Sequence, residues 1–200
     1  MTRRHVGWVT LFCLAAFGGA CAPPKEASTG SEAPVQKEPS AGSEAPVQKE
    51  PSTMTIKLDC TMSVAPSLRV GEPVELRFQL SNPTEQPLFV LKWQTPLEGL
   101  FGRHLEVTGD GVEVPYQGPM KKRGDPQASD YVTIAPGASA EATVNMSLAY
   151  DMQQPGRYRI AFRNELMDVT ADKAEVPGKL AQLHATPVQC PAVETTIVAP

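Results

Sequence analysis

The sequence has little of what nucleic-acid-binding proteins and most metal sites need. Its 200 residues carry a formal net charge of -4, only three histidines and 6% aromatic residues. Without an excess of lysine and arginine, binding to phosphate backbones has no electrostatic support, so no nucleic-acid partner is expected. With 41% hydrophobic residues and 20 prolines, the chain is too apolar to be wholly disordered and too proline-rich for a helical bundle.

The sequence also lacks the short motifs of common catalytic sites. It contains no H-E-x-x-H motif, no G-x-S-x-G elbow and no glycine-rich phosphate loop. His104 and His184 stand apart from cysteines at ligand spacing, so we predict surface or rim positions for both, and neither metal nor cofactor. Asp110, Asp125 and Asp130 fall in predicted loops, where turn roles are expected and weak cation binding is the alternative. We therefore expect no enzyme, and a Ser-His-Asp grouping formed only by the fold stays open as the alternative.

A secretory signal is predicted at residues 1–20. Two arginines precede an apolar stretch of about 15 residues, shorter than the roughly 20 residues of a membrane span. The apolar stretch ends in small residues directly before Cys21. This pattern resembles a bacterial lipoprotein signal, in which the cysteine becomes the lipidated first residue. Cys21 is therefore the candidate lipidation site, and ordinary cleavage that leaves a free cysteine is the alternative. By the same resemblance, Ala22 implies sorting to the outer membrane of a Gram-negative envelope.

A duplicated tether is predicted at residues 21–53. Residues 30–41 read GSEAPVQKEPSA and residues 42–53 read GSEAPVQKEPST, so eleven of twelve positions match. Each unit offers one valine as its only large apolar side chain, which cannot offset the entropy of ordering, and its two prolines favour an extended path. The prediction is a disordered, proline-rich linker that holds a folded domain away from a membrane.

The folded domain is predicted at residues 54–200 and is all-β. Short runs with a period of two alternate with turn signals, of which Asp110-Gly111 is the clearest hairpin. About nine such runs favour an immunoglobulin-like antiparallel β-sandwich, with Tyr158 as a candidate tyrosine corner. A long loop is expected at residues 117–130 and a helical or irregular insertion at residues 171–183. Strands are predicted at residues 55–60, 74–80, 88–93, 105–108, 112–116, 131–134, 140–148, 157–163 and 183–189.

The cysteines divide by position. Cys13 lies in the predicted signal and Cys21 at its end, which leaves Cys60 and Cys190 in the predicted domain. An exported protein meets an oxidising compartment, so we predict a structural disulfide between these two.

One dense basic run, Lys121-Lys122-Arg123, lies in the long loop. It is interpreted either as a solvated loop, or as a contact patch for an acidic partner or a protease-facing loop, and three cations cannot support strong nucleic-acid binding. Trp93 is predicted to be a core aromatic whose indole N–H needs a hydrogen-bond acceptor.

Several segments together resemble the N-terminal β-sandwich region of deuterolysin-type (aspzincin) metalloendopeptidases, including peptidyl-Lys metalloendopeptidases. These are LKWQTPLEGL at residues 91–100, YQGPMKKR at residues 116–123, the turn at residues 134–137, and residues 150–158. The resemblance covers about residues 63 to 162. In that family a zinc catalytic domain with an H-E-x-x-H helix follows, and the present chain ends at Pro200 without one, so no catalytic or metal residue is carried over.

The resemblance implies a stand-alone, prodomain-like module. We expect an exported, lipid-anchored, non-catalytic protein of the bacterial cell envelope that binds a protein partner, such as an aspzincin-type metalloprotease, as an inhibitor or accessory domain. The alternatives are a structural envelope lipoprotein with no protease link and an undetected hydrolase.

Overall fold

The computed structural model describes residues 56–163 and 165–200, and this part of the chain is all-β. Its five helices are single 3₁₀ turns of three residues: Pro96–Glu98, Ala128–Asp130, Met146–Leu148, Lys173–Glu175 and Leu180–Gln182. The strands are β1 (Asp59–Ser63), β2 (Ser67–Arg69), β3 (Glu75–Ser81), β4 (Leu88–Leu91), β5 (Leu105–Gly109), β6 (Val112–Glu113), β7 (Tyr131–Ile134), β8 (Ser139–Asn145), β9 (Gly156–Phe162), β10 (Glu165–Leu166), β11 (Val169–Thr170), β12 (Thr186–Pro187) and β13 (Val193–Val198).

Two sheets form the sandwich. One has the order β1-β3-β8 and the other the order β2-β13-β9-β5-β6, and every pair is antiparallel except β2 with β13. The first sheet pairs β1 with β3, and the second sheet combines strands from the middle of the domain with β13 at its end. This is the immunoglobulin-like arrangement. The predicted fold class is therefore confirmed for the domain.

A smaller sheet, β11-β4-β7, continues the first sheet. Strands β3 and β8 pair up to Ser81 and Ser139, and β4 and β7 resume the pairing at Leu88 and Ile134. Asn82 lies at the break and is buried, and its side-chain amide donates to the carbonyls of Gln86 and Ile134 at 2.7 and 2.9 Å. These bonds satisfy backbone acceptors that the interrupted ladder leaves open.

The alternating sequence explains which side chains form the core. Leu76, Phe78 and Leu80 of β3 are fully buried, whereas the residues between them face outward or are half-buried. Because successive side chains of a strand point to opposite faces, this pattern places one face of each sheet in the sandwich interior. The Phe78 and Phe162 rings meet between the sheets with their centroids 5.3 Å apart.

Two local predictions are confirmed. Asp110 and Gly111 have φ angles of 48° and 84° and connect β5 to β6, as a two-residue hairpin turn with positive φ at both positions requires. The Tyr158 hydroxyl donates to the carbonyl of Gln154 at 2.9 Å, four residues upstream, which is the tyrosine-corner hydrogen bond.

The disulfide prediction is also confirmed. Cys60 in β1 and Cys190, just before β13, are bonded, with their Cα atoms 4.8 Å apart and both side chains buried. The bond joins the first sheet to the segment that leads into the second.

Several predicted strand limits are wrong. The first strand is Asp59–Ser63 and not residues 55–60, and the run at 183–189 contributes only the two residues of β12. The last long strand, β13, was not predicted, although Thr195 and Ile197 alternate there as buried residues. The strand predicted at 140–148 ends at Asn145, because the Asn145 side chain accepts a hydrogen bond from Ser147 N and caps a 3₁₀ turn.

The strand predicted at 112–116 is likewise shorter, and only Val112 and Glu113 remain in β6. Pro115 has no N–H to donate to a ladder, and Tyr116 forms an isolated bridge with Tyr150. The insertion at 171–183 is irregular, with two 3₁₀ turns, and residues 117–130 form the expected long loop.

The predicted signal at 1–20, the tether at 21–53 and the candidate lipidation site Cys21 lie outside the described residues. Within the described ranges, none of the helices has the length and apolar character needed to span a membrane.

Candidate functional site

Two loops that are far apart in the sequence meet at one cluster of side chains. The loop between β4 and β5 supplies Trp93 and Glu98, and the long loop before β7 supplies Arg123. The Arg123 guanidinium lies over the Trp93 ring, 4.6 Å from its centroid, and Nη2 donates to both carboxylate oxygens of Glu98 at 2.6 and 2.5 Å. The side chains of Arg123 and Glu98 are only 17% and 7% exposed, so this pair is largely shielded from solvent screening.

The cluster divides the predicted basic run. Because Arg123 is paired internally, the solvated-loop interpretation is wrong for that residue. Lys121 and Lys122 are exposed, and Lys121 Nζ lies 3.6 Å from the centroid of the Phe101 ring. Met120 beside them is 72% exposed. We call Met120, Lys121 and Lys122 the loop tip. It consists of the two solvent-exposed lysines of the basic run and the exposed methionine before them.

Trp93 is a core aromatic, as predicted, and packs with Phe89, Leu91 and Tyr131. Among the described residues, its buried indole Nε1 has no hydrogen-bond acceptor, although the sequence predicts one, and Arg123 Nε is unpaired as well. Stacking of the cation on the indole face compensates part of this cost.

Glu98 also fixes the backbone of Gln94. Its Oε1 accepts a hydrogen bond from Gln94 N at 3.0 Å, and Gln94 has a φ angle of 56°, which is uncommon for a residue with a side chain. Such strain persists where surrounding contacts enforce the conformation and is frequent at functional sites. The Gln94 carboxamide lies against Gly102, where an added Cβ would come within 3.2 Å of Oε1.

Gln94 and His104 both line a pocket of about 580 Å³. His104 is only 2% exposed, so the prediction that it lies at the surface or rim is wrong. Its burial is a tertiary effect that polar alternation along one strand does not reveal. The pocket is lined by Gln94, Arg103, His104, Glu106, Phe162, Arg163, Glu165 and Met167.

The His104 ring is buried without partners. Neither Nδ1 nor Nε2 has a hydrogen-bond partner. Burial, assisted by the positive charge of Arg163, lowers the pKa of His104 from 6.5 to about 4. The ring is therefore neutral at physiological pH and carries one unmet donor and one unmet acceptor.

The charged side chains around the pocket are only loosely paired. Arg163 Nε lies 3.7 Å from Glu106 Oε1, and Arg103 Nη2 lies 3.3 Å from Glu113 Oε1, with all four side chains at least half exposed. Exposed pairs of this kind contribute little to stability, so both arginines are available to reorient.

Acidification is expected to destabilise the domain through His104. Because the pKa is lower in the folded state, the unfolded chain binds the proton more readily, and stability that is complete above 6.5 is lost as the pH falls toward 4. At about pH 5 the loss is on the order of 2 kcal/mol. The measurement is the free energy of unfolding in urea at neutral pH and at about pH 5. His104→Phe should lack this component and His184→Phe should keep it; the same acid loss in His104→Phe would contradict the assignment.

Asp168 is a second buried polar residue, and the sequence does not predict it. Asp168 accepts from the Tyr131 hydroxyl at 2.7 Å and from the backbone N–H of His184 at 3.2 Å. Burial and this carboxylate raise the pKa of Tyr131 to about 12. His184 itself is exposed, as predicted. The contact joins residues 37 positions apart in the chain, and no local pattern marks such a pair.

The loop aspartates accept backbone hydrogen bonds, and only for Asp130 is the contact a local turn contact of the predicted kind, since Asp110 and Asp125 bond residues 47 and 55 positions away. Asp110 accepts from Arg157 N at 2.9 Å, Asp125 from Leu180 N at 3.0 Å and Asp130 from Gln127 N at 2.8 Å. In the part of the chain that the structure describes, no three metal-binding side chains come together.

Comparison with known proteins adds a relation to proteases. No family model matches the chain. Over 92 residues, 46% of the chain, it is 35% identical to an extracellular protease of Aeromonas hydrophila. Over 112 residues, 55% of the chain, it is 24% identical to a neutral protease 2 homolog, MEP8, of Coccidioides posadasii. These matches cover 26% and 31% of the two proteases, so the chain spans less than a third of the length of either.

Among solved structures, the CARDB domain of a Pyrococcus furiosus protein, crystallised with di-metal ions, matches 72% of this chain and 94% of its own length. The TM-score is 0.31 and the sequence identity 13%, a similarity too low to support any statement about function. The findings define an immunoglobulin-like β-sandwich domain with sequence similarity to part of an extracellular and a neutral protease.

Proposed function

We propose that this protein is a non-catalytic, protease-associated binding module and that its partner is a metalloprotease of the aspzincin type. The observation that carries the proposal is the sequence similarity to two proteases over a domain that accounts for less than a third of either. Bound to such an enzyme, the module acts as an inhibitor or as an accessory domain.

The loop tip is the proposed contact surface. The three residues of the loop tip are exposed. The chain directly before them is held in place, because the Tyr116 hydroxyl forms hydrogen bonds with the carbonyls of Leu100 and Pro119. An exposed methionine suits a protein interface, and the two lysines beside it favour an acidic partner surface.

Binding to a purified aspzincin-type metalloprotease tests the proposal. The full chain in detergent should bind the enzyme in surface plasmon resonance, and Lys121→Glu/Lys122→Glu should weaken the affinity about tenfold, mainly through slower association. Lys57→Glu/Lys173→Glu is the matched control, because it makes the same charge change at exposed lysines elsewhere. No binding by the wild type, or an equal loss in both double variants, would contradict the proposed partner or the proposed surface, respectively. A parallel peptide-hydrolysis assay distinguishes an inhibitor from an accessory domain.

We also propose that a lipid on Cys21 anchors the module to the cell envelope, at the outer membrane. The pattern of a basic start, an apolar run and small residues before Cys21 supports this. An acyl anchor would restrict the module to partners at the same surface.

Removal of the anchor should be visible by fractionation. Cys21→Ser is expected to move the protein from the membrane fraction to the soluble fraction, because no lipid can then be attached. Cys13→Ser, which changes another cysteine of the same region, is the control and should stay with the membrane. Unchanged partitioning of Cys21→Ser would rule out lipidation at this residue.

A further inference from the structure

We infer that the pocket around His104 binds an extended peptide segment of a partner protein, through hydrogen bonds between peptide groups of that segment and the side chains of His104 and Gln94. The inference rests on the proposed function for the identity of the partner, and on the pocket alone for the chemistry of the ligand.

His104 supplies the first reason. A side chain this deeply buried normally has its polar atoms satisfied, yet both ring nitrogens of His104 lack a partner. A neutral imidazole offers one N–H and one bare nitrogen, and a peptide group offers a carbonyl oxygen and an N–H. An extended peptide segment presents several carbonyls and N–H groups, so a carbonyl of one peptide group and the N–H of another can complement the two unmet nitrogens.

Gln94 supplies the second reason. Its carboxamide carries a donor and an acceptor, and no protein group holds either one by a hydrogen bond of its own among the described contacts. The strained backbone conformation that places it there is maintained by Glu98, which is in turn held by Arg123. These contacts fix the backbone of Gln94 at the pocket before a ligand arrives, which lowers the entropic cost of binding.

The charges and the apolar surface of the pocket favour a peptide over other ligands. Arg103 and Arg163 are balanced by Glu106 and Glu165, so the lining has no excess charge to select an anion or a cation. Phe162 is only 3% exposed and presents no ring face on which a sugar could stack. A neutral group rich in donors and acceptors matches the remaining surface.

Entry of a ligand requires one side chain to move. Arg163 donates its backbone N–H to the carbonyl of His104 at 3.2 Å, where β9 ends and β5 begins, and its guanidinium Nε lies 3.7 Å from Glu106 Oε1. Arg163 and His104 line the same pocket, so displacement of the half-exposed Arg163 side chain is the movement by which we expect a ligand to reach the imidazole.

Selection from a peptide library tests the inference. A random heptapeptide library displayed on phage is selected on the full chain in detergent, and the recovered peptides are titrated against purified variants. His104→Phe, which removes both nitrogens, and Gln94→Gly, which removes the carboxamide at a position where positive φ suits glycine, should each weaken binding about tenfold. His184→Ala is the matched control and should leave the affinity unchanged.

A spectroscopic measurement keeps the test decisive if His104→Phe does not fold. In the wild-type chain, a selected peptide should shift the imidazole nitrogen resonances of His104 and leave those of His184 in place. An empty selection, peptides that bind His104→Phe and Gln94→Gly as well as wild type, or binding on a glycan array that depends on His104 would each overturn the inference.

The same variants separate this inference from the proposed function. If selected peptides bind through His104 while no aspzincin-type protease binds the chain, the proposed partner is wrong and the pocket assignment stands. If the protease binds wild type and His104→Phe equally, the proposed function stands and the pocket assignment is wrong.

Discussion

Loss of the Cys60–Cys190 disulfide is expected to lower the free energy of unfolding by about 5 kcal/mol. The bond joins residues 130 positions apart, and closing so long a loop removes much conformational freedom from the unfolded chain. Because small domains are stable by only about 5–15 kcal/mol, this change brings the domain close to unfolding. The measurement is urea unfolding of Cys60→Ala/Cys190→Ala beside the oxidised wild type.

Reduction of the wild-type protein provides the matched comparison, since it breaks the bond without changing a side chain's volume. Reduced wild type and the double variant should unfold at similar urea concentrations, and Cys21→Ser should behave like the oxidised wild type. A loss below about 1 kcal/mol would mean that the unfolded chain is already compact enough for the cross-link to matter little.

Arg123→Met is expected to destabilise the domain by about 3 kcal/mol. The substitution removes the cation that faces Glu98 and leaves a carboxylate whose side chain is 7% exposed with a single remaining hydrogen bond, from Gln94 N. A buried charge without its partner is costly, and the stacking on Trp93 is lost as well. Urea unfolding at neutral pH measures the effect.

A double-mutant cycle identifies the cause. Glu98→Gln in the Arg123→Met background should recover more than about 1 kcal/mol, because it removes the uncompensated charge and keeps an acceptor for Gln94 N. Lys122→Met, an adjacent and exposed change, should stay within about 0.5 kcal/mol of the wild type. Additive losses in the cycle would show that the two side chains are not coupled.

These two effects bear on the design of any binding experiment. Arg123 lies in the same basic run as Lys121 and Lys122, yet its substitution is expected to disturb Gln94 and the His104 pocket through Glu98. Loss of binding in an Arg123 variant would therefore not identify a contact. Charge reversal at the two exposed lysines, in Lys121→Glu/Lys122→Glu, tests the loop tip without this ambiguity.

Patterns in the amino-acid sequence predict the fold class, the central strands, the Asp110-Gly111 hairpin and the disulfide. Each depends on short-range rules: side-chain alternation with a period of two, positive φ at a tight turn, and the pairing of the cysteines left over in an exported domain. The same alternation marks β13, which was not predicted although Thr195 and Ile197 alternate there as buried residues.

Which polar residues are buried, and which of them come into contact, depends on the folded arrangement of the chain. Arg123 and Glu98 are 25 positions apart and Tyr131 and Asp168 are 37 apart, and nothing local distinguishes them from solvated loop residues. His104 follows the polar alternation of an exposed position but is covered by other segments. The physical reason is that burial of a polar side chain depends on the neighbours that the fold brings over it, whereas alternation reports only the face on which it starts.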